Sequence, residues 1–345
     1  MGISESSISY LKKLFSEKSD VLITTHYNPD GDAIGSSLAL YHFLLSQGIQ
    51  SNVLIPNELP SFLQWMPGVD QAIIYSKNQA LGKKLLASAD LIFCMDYNGL
   101  NRVKLFTEEL RAANATRVLI DHHIQPENEF DLQFSVTAVS STSELLFQII
   151  EESGFEAAMN REMAECFFVG IMTDTGSFSF ACNRPKTFEI AAKLIKTGMD
   201  VEGVHRMVYD TYSESRMRLL GHCLGENMKV LPEFATAYIW LSKADLDHFE
   251  YQQGDTEGVV NYALSIQNVA VAALFTERDD RIRVSLRSKG EFSVNEFARA
   301  HFNGGGHRNA AGGDIFMNMT EALAWFESLL PAYSSEIQKS LANYK

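Results

Sequence analysis

The chain has 345 residues, 46% hydrophobic and 21% charged. This is the composition of a globular protein of about two to three domains, and it excludes disordered, collagen-like and coiled-coil classes. Lysine and arginine number 29 against 43 aspartate and glutamate residues, which gives a net charge of −14. Such an acidic chain lacks the basic surface that long nucleic acid requires. A small anionic substrate is still compatible with this net charge if metal ions or nearby arginines make the electrostatic potential positive at its binding site.

Cysteine usage and hydropathy indicate an intracellular protein. The four cysteines (Cys94, Cys166, Cys182 and Cys223) form no Cys-x-x-Cys pair, which favours reduced thiols over a disulfide framework. No apolar run approaches the ~20 residues needed to cross a bilayer, and the N-terminal segment lacks the apolar core of a signal peptide. We therefore expect a cytoplasmic protein with no membrane partner.

The first half of the sequence alternates short apolar runs with amphipathic runs. The predicted strands are Val21–Thr25, Ser51–Ile55, Gln71–Tyr75, Asp90–Met95 and Arg117–Ile120. The predicted helices are Ala33–Ser46, Leu81–Ser88, Ser143–Glu152 and Arg161–Met172. Alternation at this spacing predicts an α/β fold with a doubly wound parallel sheet.

The second half changes character after two more helical patterns. The predicted elements are helices at Phe188–Lys196 and Ser213–Asn227, strands at Ala235–Leu241, Val269–Phe275 and Arg281–Arg287, and a final helix at about Met319–Leu330. A glycine-rich segment precedes the final helix. We therefore predict a catalytic domain at 1–190, a helical connector at 191–228 and a smaller C-terminal α/β domain at 229–345 that closes over a cleft.

The segment after the first predicted strand contains His26, Asn28, Asp30 and Asp32. In an open parallel sheet, ligands bind beyond the carboxyl ends of the strands, so this segment lies where a site is expected. The same residues also suit an Asn-Pro-Asp-Gly turn with Asp32 as the N-cap of the following helix. Taken alone, the segment leaves both a turn and a metal site open.

Three more polar motifs follow predicted elements. They are Asp96 after the fourth strand, Asp121-His122-His123 at the end of the fifth, and Asp174 after an apolar helix. Each alone fits a helix cap or a surface residue. Together they combine imidazole and carboxylate ligands, which suit Mn²⁺ or a similar ion, and pairs of such ions hydrolyse phosphoesters. Five clustered aspartates would also need cations to balance their charge. The combined pattern predicts a two-metal site.

In this order the four motifs resemble those of the DHH phosphoesterase superfamily, named for an Asp-His-His string like the one at Asp121–His123. The resemblance implies two divalent ions, with Mn²⁺ expected first and Mg²⁺ or Co²⁺ as alternatives. The implied ligands are His26 and Asp30 for one ion, Asp32, His122 and Asp174 for the other, and Asp96 as the bridge between them. It also implies that His123 faces the substrate phosphate, while Asp121 orients an imidazole.

The glycine-rich segment resembles the Gly-Gly-Gly-His domain that accompanies one DHH subfamily. The substrate-binding residues implied by the resemblance are Asn28, Arg287, Ser288, Gly304, Gly305, Gly306 and His307. Successive amides at a helix start would form an anion cradle there. From the residues alone, a flexible hairpin and an ordinary exposed arginine stay open.

Stand-alone family members with this two-domain plan degrade very short oligoribonucleotides, as nanoRNases, and remove the 3′-phosphate from 3′-phosphoadenosine 5′-phosphate. The resemblance therefore implies short RNA or small nucleotides as partners, and the net charge of −14 argues against long or double-stranded nucleic acid. A phosphodiesterase for cyclic di-AMP or linear dinucleotides, an exopolyphosphatase-like hydrolase and a non-enzymatic nucleotide sensor are the alternatives. The oligomeric state is open, with a homodimer among the options.

Overall fold

The computed structural model describes residues 3–17, 20–155 and 159–344. The chain divides into two compact units, Met1–Thr211 and Tyr212–Lys345. This division falls inside the stretch 191–228, for which the sequence predicts a helical connector. The predicted domain boundaries themselves stay predictions.

The first unit is built on a six-stranded sheet with the order β3-β2-β1-β4-β5-β6. Its strands are β1 (Val21–Thr25), β2 (Ser51–Ile55), β3 (Ile73–Ile74), β4 (Leu91–Met95), β5 (Thr116–Asp121) and β6 (Leu132–Ser135). Every neighbouring pair runs parallel. The order reverses between β1 and β4, so the predicted doubly wound parallel sheet is confirmed, and its switch point lies between these two strands.

Helices cover both faces of this sheet. They are α1 (Glu5–Glu17), α2 (Gly31–Ser46), α3 (Gln79–Ser88), α4 (Thr107–Ala112), α5 (Thr142–Glu152), α6 (Arg161–Asp174), α7 (Pro185–Ile195) and α8 (Val201–Tyr209). Because side chains alternate along a strand, Val21 and Ile23 enter one hydrophobic core while Leu22 enters the other. Burial on both sides explains why β1 and β4 are continuous apolar runs.

Several elements of the first unit differ from the sequence prediction, and helices α4 and α8 were not predicted. Strand β3 has only two residues, since a 3₁₀ turn over Val69–Gln71 occupies its expected beginning. Strand β6 is a short edge strand with only Phe134 fully buried, too little to show an apolar run. Helix α1 was not predicted, although Ile8, Leu11 and Leu14 bury one of its faces.

The second unit contains a six-stranded sheet with the order β11-β12-β10-β9-β8-β7. The strands are β7 (Met228–Leu231), β8 (Thr236–Leu241), β9 (Val271–Glu277), β10 (Ile282–Ser288), β11 (Gly305–Gly306) and β12 (Ala310–Ile315). The helices are α9 (Glu214–Gly225), α10 (Lys243–His248), α11 (Val259–Ser265), α12 (Val294–His301) and α13 (Met319–Tyr344). Only the β8–β9 pair is parallel among the described pairs, so this is a mixed α/β unit.

Two features of the second unit correct the sequence prediction. The glycine run follows a short helix, α12, and Gly305–Gly306 pair with β12 in a hairpin, so its amides do not stand at a helix start as the anion-cradle prediction assumed. The final helix does not end near Leu330 but continues through Pro331 to Tyr344. It continues because its last turns are held in place: the Ser340 hydroxyl donates to the Lys289 carbonyl (2.6 Å) and accepts from the Phe292 amide (3.0 Å).

The four cysteines are all buried and free, as their spacing predicts. Among the described residues, no helix combines the length and the apolar character that crossing a membrane requires.

Candidate metal centre

The polar motifs of the first unit meet at one edge of its sheet. His26 directly follows β1, Asp96 directly follows β4, and Asp121 is the last residue of β5. Since these strands are parallel neighbours, their carboxyl ends lie side by side at the switch point. Asp174 reaches the same place from the last turn of α6.

One donor group consists of His26, Asp30 and Asp96. The His26 Nε2 atom lies 3.5 Å from Asp96 Oδ2 and 3.9 Å from Asp30 Oδ2. Asp30 caps α2, because its Oδ1 accepts the amides of Asp32 and Ala33. The N-cap is therefore Asp30 and not Asp32. Capping occupies one oxygen of Asp30 and leaves the other facing the imidazole.

A second donor group consists of Asp32, His122 and Asp174. The His122 Nε2 atom lies 3.1 Å from Asp174 Oδ2 and 3.9 Å from Asp32 Oδ2. The same atom is 3.6 Å from Asp96 Oδ1. One oxygen of Asp96 thus faces each donor group, which is the arrangement that a bridging carboxylate requires.

Asp96 reaches this position through an unusual backbone conformation. Its φ is +62°, which turns the chain sharply after β4, while its amide still donates to the Ile120 carbonyl at 3.0 Å. Non-glycine residues in this region are uncommon and occur disproportionately at functional sites. The turn brings the carboxylate between the two imidazoles.

The last His of the motif is held by the Asp that begins it. The His123 Nδ1 atom lies 2.7 Å from Asp121 Oδ1, and the His123 amide donates to Asp121 Oδ2 at 3.1 Å. Asp121 is fully buried. This pairing fixes the orientation of the ring and favours the tautomer with the proton on Nδ1.

The first turn of α5, whose start was predicted to within one residue, holds two of the carboxylates, and the sequence did not indicate this role. The amides of Thr142 and Ser143 donate to the two oxygens of Asp32, at 2.6 and 2.9 Å. The Thr142 hydroxyl donates to Asp96 Oδ1 at 2.8 Å. A helix N-terminus offers unpaired amides and a partial positive charge, so this turn both orients and stabilises the acidic cluster.

A buried glutamate in turn holds the start of α5. Glu144 Oε2 accepts the hydroxyls of Ser140 (2.5 Å) and Thr187 (2.7 Å), and its Oε1 accepts the Gln148 side chain at 3.0 Å. The run Ser140–Ser143 does indicate a helix start, and Ser141 is indeed the cap. The sequence does not show which carboxylates the free amides face.

The electrostatics of the cluster call for cations. Burial raises the pKa of Asp32 well above its usual value, and the charges of Asp96 and Asp174 raise it further. Burial also raises the pKa of Asp96, but the hydrogen bond to His26 and the neighbouring imidazoles outweigh it and hold that pKa below its usual range. A cluster with more carboxylates than imidazoles, made only of oxygen and nitrogen donors, fits ions such as Mn²⁺ or Mg²⁺.

Asn28, predicted to bind substrate, has a buried partner that the sequence did not indicate. The Asn28 amide donates to Asn57 Oδ1 at 2.7 Å, and Asn57 Nδ2 donates to Asn28 Oδ1 at 3.0 Å. Asn28 also adopts a φ of +54°. The pair fixes the loop that follows β1 beside the first donor group.

In the second unit, the predicted substrate residues lie at the β10 end and in the glycine hairpin. The Ser288 hydroxyl is buried and donates to the Phe292 carbonyl at 2.7 Å, while the Arg287 Nη1 donates to the Leu286 carbonyl at 3.0 Å. A side chain on Gly304 would place its Cβ 1.9 Å from the Gly312 carbonyl oxygen. The close approach of the Gly304 and Gly312 backbones therefore explains why residue 304 is a glycine. Substrate binding by the hairpin stays a prediction.

Comparisons with known proteins identify the family of this chain. The pattern of the DHH family, N-terminal domain, matches residues 20–171, and the pattern of the DHHA1 domain matches residues 232–330. The bifunctional oligoribonuclease and PAP phosphatase NrnA of Bacillus subtilis is 27% identical, with 86% of this chain and 89% of that protein covered. The probable NrnA of Streptococcus mutans is 28% identical with the same coverage.

A solved structure resembles the whole chain. The crystal structure of an exopolyphosphatase-related protein from Bacteroides fragilis has a TM-score of 0.93 and 41% sequence identity, and the match covers 97% of this chain and 98% of that one. Both domain patterns, their order and this full-length match lead to one assignment. The chain belongs to the DHH family of phosphoesterases, hydrolases of phosphoester bonds, and carries a DHHA1 domain in its second unit.

Proposed function

We propose that this phosphoesterase hydrolyses short oligoribonucleotides and removes the 3′-phosphate from 3′-phosphoadenosine 5′-phosphate. The observation that carries the proposal is the pair of donor groups that share Asp96. The proposed substrate class is supported by the Bacillus and Streptococcus relatives. Their names state these two activities, and they match this chain over 89% of their length.

Two divalent ions fit the donor set, with Mn²⁺ first and Mg²⁺ or Co²⁺ as alternatives. The residues that would hold them are His26 and Asp30 for one ion, Asp32, His122 and Asp174 for the other, and Asp96 for both. When bound, such ions would activate water as a nucleophile and stabilise charge on the phosphoryl oxygens.

The remaining residues of the centre position the substrate. His123, held by Asp121 through Nδ1, would hydrogen-bond a phosphoryl oxygen, where charge develops in the transition state. In the second unit, Arg287, His307 and the Gly304–Gly306 backbone would hold the end of the substrate away from the attacked phosphorus. An arginine suits this purpose because its planar fork binds phosphate through two parallel hydrogen bonds.

A second candidate function is the hydrolysis of inorganic polyphosphate. It is favoured by one observation: the Bacteroides fragilis structure, at 41% identity over nearly the whole chain, is described as exopolyphosphatase-related. Polyphosphate and nucleotides share the phosphoryl group that the donor groups would bind, so the centre alone does not separate them.

A substrate panel separates the candidates. Metal-free protein would be loaded with Mn²⁺ or Mg²⁺ and tested on a diadenylate, an RNA five-mer, 3′-phosphoadenosine 5′-phosphate, cyclic di-AMP and polyphosphate. We expect turnover of the first three, which should be abolished by Asp96→Ala together with the loss of metal measured by mass spectrometry. Asp70→Ala, at an exposed aspartate of the same unit, is the control.

Two results would contradict the proposal. Near-wild-type hydrolysis by Asp96→Ala would refute the shared-carboxylate assignment. Turnover of polyphosphate without turnover of any nucleotide would refute the substrate class and select the second candidate.

A further inference from the structure

We propose that the ring of Phe180 is a stacking platform for a base of the nucleotide substrate, beside the metal centre. This inference rests on the proposed function and deepens it, because it names the part of the substrate that would distinguish a nucleotide from polyphosphate. It concerns residues 175–181, called here the post-Asp174 loop, which directly follow the last residue of α6.

The post-Asp174 loop is held in one conformation by Thr175, which is fully buried. The Thr175 carbonyl accepts the amides of Ser179 (2.8 Å) and Phe180 (3.1 Å). Its hydroxyl accepts the Phe178 amide at 3.0 Å and donates to the Ile171 carbonyl at 2.7 Å. The loop is thus anchored to the same helix turn that carries Asp174.

The Phe180 ring lies close to Asp174. It packs on Gly176, where an added Cβ would lie only 2.1 Å from a ring carbon. Gly176 is two residues beyond Asp174, so their Cα atoms are at most about 7.6 Å apart. A base on this ring would therefore lie within about one nucleotide of a phosphate held at the donor groups.

The two aromatic residues of the loop have different surroundings. Phe178 packs between Phe168 and Phe188, with ring centroids 5.7 and 5.6 Å away. Phe180 is 49% exposed, and among the described residues no aromatic ring packs against it. Packing within the unit therefore accounts for Phe178 and leaves a large part of the Phe180 ring facing solvent.

The backbone of the loop is strained on both sides of Phe180. Ser177, Phe178 and Ala181 have φ values of +56°, +61° and +52°, a region that costs free energy for residues with a side chain. Such conformations persist where surrounding contacts determine them, and they cluster at active sites and ligand clamps. Here the Thr175 hydroxyl accepts the Phe178 amide, and the Ser177 amide donates to the Met172 carbonyl at 2.7 Å.

A nucleobase is the ligand that this ring fits. Every base has a flat π face, so an exposed phenyl ring can stack on any of them. A phosphate chain offers no such face. The platform therefore predicts base-dependent but sequence-tolerant hydrolysis, with purines favoured over pyrimidines because their larger rings stack more strongly.

The test compares two dinucleotides, one normal and one in which an abasic sugar replaces each nucleoside. With Mn²⁺-loaded full-length protein, Phe180→Ala should lower kcat/KM for the normal dinucleotide about 5- to 100-fold, the loss typical of one base–aromatic stack. It should leave kcat/KM for the abasic dinucleotide within about twofold of wild type. Phe180→Trp keeps a stacking face, so it should retain the wild-type ratio of kcat/KM between the normal and the abasic dinucleotide.

Phe316→Ala, at an exposed phenyl ring of the second unit (69% exposed), is the matched control and should change neither substrate. Equal losses on both dinucleotides in Phe180→Ala would show that the ring only supports the loop and would overturn the inference. Unchanged rates on both would overturn it as well. Wild-type protein that hydrolyses neither dinucleotide would refute the proposed function and the platform together.

Discussion

Replacing Thr142 by valine tests whether the start of α5 positions the shared carboxylate. The substitution keeps the shape and the Thr142 amide that binds Asp32, and it removes only the hydroxyl that donates to Asp96 Oδ1 at 2.8 Å. A hydrogen bond to a charged group contributes about 1.5–3 kcal/mol. Loss of a partner that orients a metal ligand typically lowers metal affinity or activity about 10- to 100-fold. Because Asp96 faces both donor groups, we expect both metal affinities to fall, by about 10-fold each.

The assay is calorimetric titration of metal-free protein with Mn²⁺, followed by kcat measured at saturating metal. Thr142→Ser should restore both quantities, since it retains the hydroxyl. Thr236→Val is the matched control: Thr236 is equally buried and its hydroxyl donates to the Phe234 carbonyl in the second unit, so it should lose some stability without losing metal affinity. Wild-type metal affinity and kcat in Thr142→Val would refute the reasoning.

Proton release, substrate binding and substrate length give three further tests. Burial lowers the pKa of His122, but the hydrogen bond to Asp174 and the surrounding carboxylates raise it to about 10. Because a metal ion must displace this proton, Mn²⁺ affinity should rise with pH below that value. Calorimetric titration in buffers of different ionisation enthalpy should detect the proton that is released when Mn²⁺ binds. Arg287→Ala and His307→Ala should raise KM more than they lower kcat, because contacts away from the attacked phosphorus act in ground and transition states alike; unchanged constants would contradict substrate binding there. Rates on an RNA ladder from about 2 to 24 nucleotides should peak at about two to five, because a chain of net charge −14 lacks a basic track; equal rates along the ladder would contradict this.

The central strands were predictable because a strand that is buried on both faces is a continuous run of apolar residues. Val21–Thr25 and Ser51–Ile55 are found with the predicted bounds, and Leu91–Met95 differs by one residue. Parallel strands then bring their carboxyl ends together, so the grouping of the polar motifs followed from topology. Elements with little buried surface, such as β6, carry no such signal and were missed.

The contacts that orient the carboxylates could not be predicted in the same way. Thr142 and Asp32 are 110 residues apart, and their pairing depends on where α5 begins relative to α2. A helix start rich in serine and threonine indicates that the first amides of the helix need hydrogen-bond acceptors. It does not indicate which acceptor they find, because any nearby one would serve. The positive φ of Asp96 could not be predicted from the sequence either, because the presence of an aspartate does not by itself indicate that backbone conformation.

The spacing of the ligands within the second donor group depends on how closely α2 and α6 pack. A Cβ on Gly35 would lie 2.6 Å from the Cys166 carbonyl oxygen, and one on Gly170 would lie 1.9 Å from Ser143 Oγ and 2.8 Å from Asp32 Oδ1. A side chain at Gly35 must therefore push the two helices apart, and one at Gly170 must displace the Ser143 side chain and the Asp32 carboxylate. Because α2 carries Asp32 and α6 carries Asp174, the same movement would widen the second donor group while leaving its residues intact. These glycines thus set a distance between ligands, a property that the ligand motifs themselves do not encode.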